Sequence, residues 1–121
     1  MSAQPKPMAN EWITVCKLGD IVPDTGVCAL VNGRQIAVYR LSDDSIHAID
    51  NCDPFSGANV LSRGIVGDLK GELVVASPIY KQHFSLITGQ CLEEAEVRVA
   101  VFPVRVENGT VLVSGHPTVF R

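Results

Sequence analysis

The sequence predicts an all-β domain, a sandwich or barrel of short antiparallel strands. Segments in which apolar and polar residues alternate recur at short intervals, as at residues 12–16 and 97–107. Asn-Gly pairs, which are typical of two-residue hairpin turns, stand at Asn32-Gly33 and Asn108-Gly109. No segment of useful length has the 3.6-residue period of an amphipathic helix. Many short strands separated by turn residues indicate a sandwich or a barrel.

The individual strands are predicted from β-branched residues and from the turn residues that separate them. Residues 17–26 form a connection with one short helical turn expected at residues 18–21. In the strand at residues 34–41, the alternation places Ile36 and Val38 on one face and Ala37, Tyr39 and Leu41 on the other. The predicted strands cover residues 12–16, 27–31, 34–41, 45–50, 65–66, 72–76, 83–87, 90–92, 97–107 and 110–114.

Two segments lack any steady period and are predicted to be loops. Residues 51–64 contain Pro54, Gly57 and Gly64, and residues 77–82 follow a predicted strand. We name them tip loop 1 (residues 51–64) and tip loop 2 (residues 77–82). A later acidic run at residues 93–96 is expected to be a solvated loop.

Size and charge restrict the classes of function. A length of 121 residues predicts one domain, assigned to residues 11–114, with a disordered tail at residues 1–10 and a second tail at residues 115–121. The formal net charge of −3 argues against general binding to nucleic acid or to an anionic membrane. We expect neither a membrane span nor a secretory signal, so a cytoplasmic location is predicted.

The cysteines and histidines give weak signals for metal binding or catalysis. The four cysteines, none in a Cys-x-x-Cys pair, are expected to be free thiols in a reducing compartment. Cys52 and His83 would supply only two ligands for a metal, and as a thiol–imidazole pair they lack an orienting third group. His47 is expected to be a half-buried strand residue and His116 to be solvated.

The tip loops resemble the cluster-binding region of Rieske iron–sulfur domains, a family that implies an antiparallel β-sandwich of two or three small sheets. In that family a Cys-x-His motif and a Cys-x-x-His motif bind a [2Fe–2S] cluster through two thiolates and two imidazoles, and a Phe-Asp-x-x-Thr-Gly turn follows. Here Cys52 stands at the first cysteine position, but Pro54 and Tyr80 replace the histidines and Ser77 replaces the second cysteine. The resemblance therefore implies a Rieske-like domain without a cluster, a metal or a catalytic residue.

A more specific resemblance is carried by residues 24–30, 53–55, 60–64, 71–78 and 81–84. In these segments the chain is similar to the small subunits of assimilatory NAD(P)H-dependent nitrite reductases. The resemblance implies a cytoplasmic subunit that acts in nitrate assimilation with a large subunit containing FAD, a [4Fe–4S] cluster and sirohaem. That enzyme reduces nitrite to ammonium. Two alternatives remain open: a stand-alone Rieske-type [2Fe–2S] ferredoxin, and a Rieske-fold binding module of another oxidoreductase.

The tip loops also suggest a surface for binding a protein partner. Phe55 and Tyr80 are the expected anchors, because aromatic side chains dominate interface energetics. Arg63, Lys81 and His83 would form a charged rim. Pro54 and Ile79 are expected to turn inward. The alternative for Phe55 is that its ring belongs to the core of the sandwich.

Overall fold

The computed structural model describes residues 12–120 and has the predicted all-β architecture. Within this range, helical structure is limited to the 3-10 turns Leu18–Asp20 and Leu61–Arg63, the first of which was predicted. The strands are β1 (Trp12–Lys17), β2 (Thr25–Val31), β3 (Arg34–Arg40), β4 (Ile46–Asp50), β5 (Ile65–Leu69), β6 (Glu72–Ala76), β7 (His83–Ser85), β8 (Val101–Phe102), β9 (Val104–Glu107) and β10 (Thr110–Ser114).

The strands form three antiparallel sheets. The terminal sheet has the order β1-β10-β9, the central sheet β2-β3-β4-β8, and the tip sheet β5-β6-β7. The tail predicted at residues 1–10 lies outside the described residues. In the described part of the chain, no helix is long and apolar enough to cross a membrane.

The central sheet is buried on both faces. Ala37 and Tyr39 pack toward the tip sheet, in one cluster of buried residues with Phe84. Ile36 and Val38 pack toward the terminal sheet in a second cluster. The predicted alternation along β3 is confirmed, and it explains why this strand has apolar residues at consecutive positions.

The predicted Asn-Gly turns are confirmed by their backbone angles. Asn32 and Gly33 have φ values of 52° and 79°, and Asn108 and Gly109 have 54° and 76°. Positive φ at both central residues is the requirement of the turn that best fits the twist of a two-stranded hairpin. These turns join β2 to β3 and β9 to β10.

The single strand predicted at residues 97–107 is wrong. The chain forms only β8 and β9 there, on either side of Pro103, and the two strands belong to different sheets. Because proline has no backbone N–H, it cannot donate to a strand ladder. The Pro103 carbonyl accepts from the Ser114 N–H at 2.9 Å, so the chain passes from the central to the terminal sheet at this residue.

Candidate functional site at the two tip loops

Tip loop 1 is fixed to the central sheet by Asn51, which is buried. Its backbone N–H donates to the Gln35 carbonyl at 3.1 Å, and its carbonyl accepts from the Leu61 N–H at 3.0 Å. The side chain accepts from the Ser62 N–H at 2.7 Å and donates to the Asn59 carbonyl at 3.1 Å. One amide side chain thus holds both ends of the loop together.

Tip loop 2 is a closed turn between β6 and β7. The Ser77 N–H donates to the Gln82 carbonyl at 2.9 Å, and the Lys81 N–H donates to the Ser77 carbonyl at 3.1 Å. Lys81 has a φ of 67°, in the left-handed region, which reverses the chain toward β7. These two hydrogen bonds fix the backbone conformation of tip loop 2.

The two loops meet through a buried carboxylate. Asp53 and Ser77 are fully buried, and the Ser77 hydroxyl donates to Asp53 Oδ2 at 2.5 Å. Asp53 Oδ1 accepts from the Phe55 N–H at 2.8 Å, and Ser77 Oγ accepts from the Ile79 N–H at 3.3 Å. Each side chain thus makes one bond within its own loop and shares one bond with the other loop.

The base of tip loop 1 also lies close against the sheets. The Tyr39 hydroxyl donates to the Leu61 carbonyl at 2.6 Å, and burial raises the pKa of this phenol far above its usual range. At Gly64, a Cβ atom would collide with the Ala76 carbonyl oxygen and with Val75 Cγ2. Glycine is required at this position because the loop backbone approaches β6 closely.

The outer surface of the loops is apolar at its centre. Tyr80 is 58% exposed and Ile79 is 42% exposed, and Pro54 and Pro78 are also exposed. The prediction that Pro54 and Ile79 turn inward is wrong. The interior beneath the loops is occupied by the Asp53–Ser77 pair and by the Phe55 side chain instead.

Phe55 is half-buried and packs against the cluster of core residues between the central and tip sheets. Its ring centroid lies 6.1 Å from that of Phe84 with a tilt of 44°, a favourable separation for an aromatic pair. The packing favours the alternative role for Phe55, a core residue that supports tip loop 1 from below. Tyr80 is left as the exposed aromatic side chain of the loops.

The predicted charged rim divides into two kinds of residue. Arg63 and Lys81 are exposed, and neither forms an ion pair with a described residue. His83 is paired with Glu93. The His83 backbone N–H donates to Glu93 Oε1 at 2.8 Å, and the His83 ring Nδ1 lies 2.7 Å from Glu93 Oε2. Burial is the largest single influence on Glu93 and raises its pKa. The contacts with His83 and Cys91 together outweigh burial, so the pKa of Glu93 lies below its usual value.

Thiol chemistry is disfavoured at the tip. Burial raises the pKa of the Cys52 thiol, and the carboxylates of Asp50 and Asp53 raise the pKa further. Since the thiolate is the nucleophile, Cys52 is poorly activated, and the His83 imidazole is paired with Glu93. Among residues 12–120, no group of three or more His, Cys, Asp or Glu side chains is placed to hold a metal ion.

The other two histidines lie outside the tip loops. His47 is half-buried on β4, as predicted. His116 was expected to be solvated, which is wrong: it is half-buried, and its Nε2 atom has no hydrogen-bond partner among the described residues. Neither residue contributes to a candidate catalytic site.

The comparisons with known proteins agree with this geometry. Residues 11–114 match the family model of the Rieske-like [2Fe-2S] domain. The nitrite reductase (NADH) small subunit of Salmonella typhimurium is 46% identical over 107 residues, which cover 88% of this chain and 99% of the relative. The chain belongs to the nitrite reductase small-subunit family. The solution structure of the nitrite reductase [NAD(P)H] small subunit from Erwinia carotovora is 53% identical, with a TM-score of 0.74, and the match covers 87% of this chain and 82% of that one.

Another relative of this chain is a nitrite reductase large subunit. The nitrite reductase [NAD(P)H] large subunit of Klebsiella oxytoca is 41% identical over 118 residues, which make up 98% of this chain but 12% of the relative. In that protein, the large-subunit polypeptide therefore contains a domain like the small subunit.

The side chains of this family member do not fit a Rieske-type cluster. Such a cluster takes two thiolates on one iron and two imidazoles on the other. Of the four ligand positions, Cys52 alone has a suitable side chain, and its raised pKa favours the thiol. Pro54 has no donor atom, the Ser77 hydroxyl is bound to Asp53, and Tyr80 is exposed.

Two residues that organise the loops, Asn51 and Asp53, were not predicted from the sequence. A local signal for Asp53 was present, since an Asp two residues before an unpaired N–H commonly forms an Asx turn, here with Phe55. No local signal pointed to Ser77 as the partner of Asp53, because the contact joins residues 24 positions apart.

Proposed function

We propose that this chain is the small subunit of a cytoplasmic NAD(P)H-dependent nitrite reductase, which reduces nitrite to ammonium in nitrate assimilation. It acts as a cofactor-free docking partner, and the large subunit carries the FAD, [4Fe–4S] cluster and sirohaem that transfer the electrons. The observation that carries the proposal is the match of 98% of this chain to a segment of the Klebsiella oxytoca large subunit.

The shared polypeptide in Klebsiella oxytoca supports a physical contact between the two subunits. A domain joined to its partner by the chain is present at a high effective concentration, so a contact with that partner forms readily. A separate small subunit has to achieve the same contact through affinity alone. This chain therefore requires a docking surface with enough apolar area to hold the large subunit.

The tip loops have the composition of such a surface. Tyr80 and Ile79 form an exposed apolar centre, which is the part of an interface where most binding energy is concentrated. Arg63 and Lys81, which form no ion pair with a described residue, add positive charges in a chain whose formal net charge is −3. The complementary surface on the large subunit is therefore an apolar pocket bordered by carboxylates, which would orient the approaching tip loops.

The proposal is tested by measuring binding of Tyr80→Ala to the purified large subunit, together with nitrite reduction with and without this chain. Loss of an anchoring aromatic side chain is expected to weaken binding by about 2 kcal/mol, or roughly thirty-fold, at an unchanged melting temperature.

Ile87→Ala is the matched control. Ile87 is also apolar and 50% exposed, but it follows β7 at the end of the tip sheet remote from tip loop 2. Ile87→Ala should bind the large subunit with the affinity of the unmodified chain. If the unmodified chain, Tyr80→Ala and Ile87→Ala bind with equal affinity, the contact lies elsewhere on the chain. If the large subunit does not bind this chain and reduces nitrite equally well without it, the proposed function is contradicted.

A further inference from the structure

The tip loops come from different parts of the fold. Tip loop 1 leaves β4 of the central sheet, whereas tip loop 2 lies within the β6–β7 hairpin of the tip sheet. In a Rieske-type site each loop supplies ligands to one cluster, so the metal joins the loops. This chain lacks three of those four ligand side chains, and another interaction has to hold the loops in register.

The Asp53–Ser77 hydrogen bond joins one ligand position to a residue adjacent to two others. Ser77 is at the second cysteine position, and Asp53 lies between the first cysteine and first histidine positions, Cys52 and Pro54. Burial strengthens this hydrogen bond, because water does not compete for either partner.

Both partners are held rigidly by their own loops. The Asp53 N–H donates to the Ala58 carbonyl at 2.8 Å, and the Asp53 carbonyl accepts from the Gly57 N–H at 2.7 Å. Ser77 is fixed in the same way, through backbone bonds to Gln82 and Lys81. Since neither residue can move without its loop, the bond between their side chains couples the positions of the two loops.

We propose that Asp53 and Ser77 are positioning residues that replace the metal cluster as the link between the loops. Their bond holds Ile79 and Tyr80 in the conformation that binds the large subunit. The claim about binding rests on the proposed function, whereas the claim about the link between the loops does not. A surface that is already ordered before it binds loses less conformational entropy in the complex, so the bond contributes to affinity without touching the partner.

The first test is amide hydrogen exchange in the isolated chain with Ser77→Ala. Removal of the hydroxyl leaves Asp53 Oδ2 and the Ile79 N–H without their partner. Exchange at Ile79 and Phe55 is expected to accelerate by at least about ten-fold relative to residues of the central sheet.

Ser85→Ala is the matched control for this variant. Ser85 is also a fully buried serine whose hydroxyl accepts backbone N–H groups, those of Ile87 and Thr88, but it lies at the other end of β7. In Ser85→Ala, amide hydrogen exchange should become faster at Ile87 and Thr88 and remain unaltered in the tip loops. Unaltered exchange at Ile79 and Phe55 in folded Ser77→Ala would overturn the proposal.

The second test compares affinities for the purified large subunit. Ser77→Ala is expected to bind about ten-fold more weakly, Ser85→Ala like the unmodified chain, and Asp53→Asn at an intermediate level because an amide retains a hydrogen bond to Ser77. If Ser77→Ala and Ser85→Ala lose stability equally and neither changes affinity, the positioning role is refuted. If faster exchange at Ile79 accompanies unchanged affinity in both Ser77→Ala and Tyr80→Ala, the link between the loops stands and the docking surface of the proposed function fails.

Discussion

His47 on β4 is a residue through which pH is expected to act on the stability of this fold. Its Nε2 atom lies 3.2 Å from the Ser45 hydroxyl. Burial lowers the pKa of His47 below its usual 6.5, and the nearby Asp43 carboxylate opposes this only in part. The folded chain therefore takes up a proton at lower pH than the unfolded chain, which favours the unfolded state as the pH falls below about 6.5.

We expect His47→Gln to reduce this loss of stability. In urea denaturation, the free energy of unfolding of the unmodified chain should decline from about pH 8 to about pH 5.5, a range in which ordinary carboxylates stay ionised. The decline should be smaller in His47→Gln, which cannot titrate at this position. Equal declines in the two proteins would show that His47 does not carry the effect.

Tip loop 1 is an element that the half-buried Phe55 side chain supports from below. Phe55→Ala is expected to destabilise the chain by about 2 kcal/mol, because truncation of a fully buried phenylalanine costs about 3–5 kcal/mol and this ring is half-buried. Thermal unfolding measures the effect, with Tyr80→Ala as the control that leaves the melting temperature unchanged. An unchanged melting temperature in Phe55→Ala would contradict the core role and leave Phe55 as a predicted anchor, to be tested by binding to the large subunit.

The strands show which elements a sequence can predict. The hairpin at Asn32-Gly33 was predicted because two adjacent residues determine the turn. The break at Pro103 was missed because the alternation of residues 97–107 continues across it while the pairing partner changes. Local patterns specify turns and faces, whereas the choice of neighbouring strand depends on the whole fold.

The same limit applies to the candidate site. The ligand positions Cys52, Pro54, Ser77 and Tyr80 came from the resemblance to Rieske domains, and the outward position expected of Tyr80 agrees with the structure. The inward orientation expected of Ile79 was wrong, because it depended on the space beneath the loops. That space is filled by contacts between distant segments, such as Phe55 with Phe84, which no local pattern reveals.

At the scale of the whole molecule, the fold has a source of stability that does not need a metal. Two clusters of buried residues lie on opposite faces of the central sheet, and the terminal sheet is packed against only one of them. Tip loop 1 is tied to this core by Asn51 and Tyr39. Replacement of cluster-ligand side chains at the tip therefore leaves these two buried clusters intact.

The iron and sulfide content of the purified chain separates the docking subunit from the alternative of a stand-alone ferredoxin. We expect the purified chain to contain neither iron nor acid-labile sulfide, since Pro54, Ser77 and Tyr80 cannot replace an imidazole, a thiolate and an imidazole. Elemental analysis and visible absorption of protein produced in cells with intact iron–sulfur assembly provide the measurement. A Rieske-type ferredoxin produced in the same cells is the positive control. About two irons per chain, with the absorption of a [2Fe–2S] centre, would establish this chain as an electron carrier and refute the cofactor-free role.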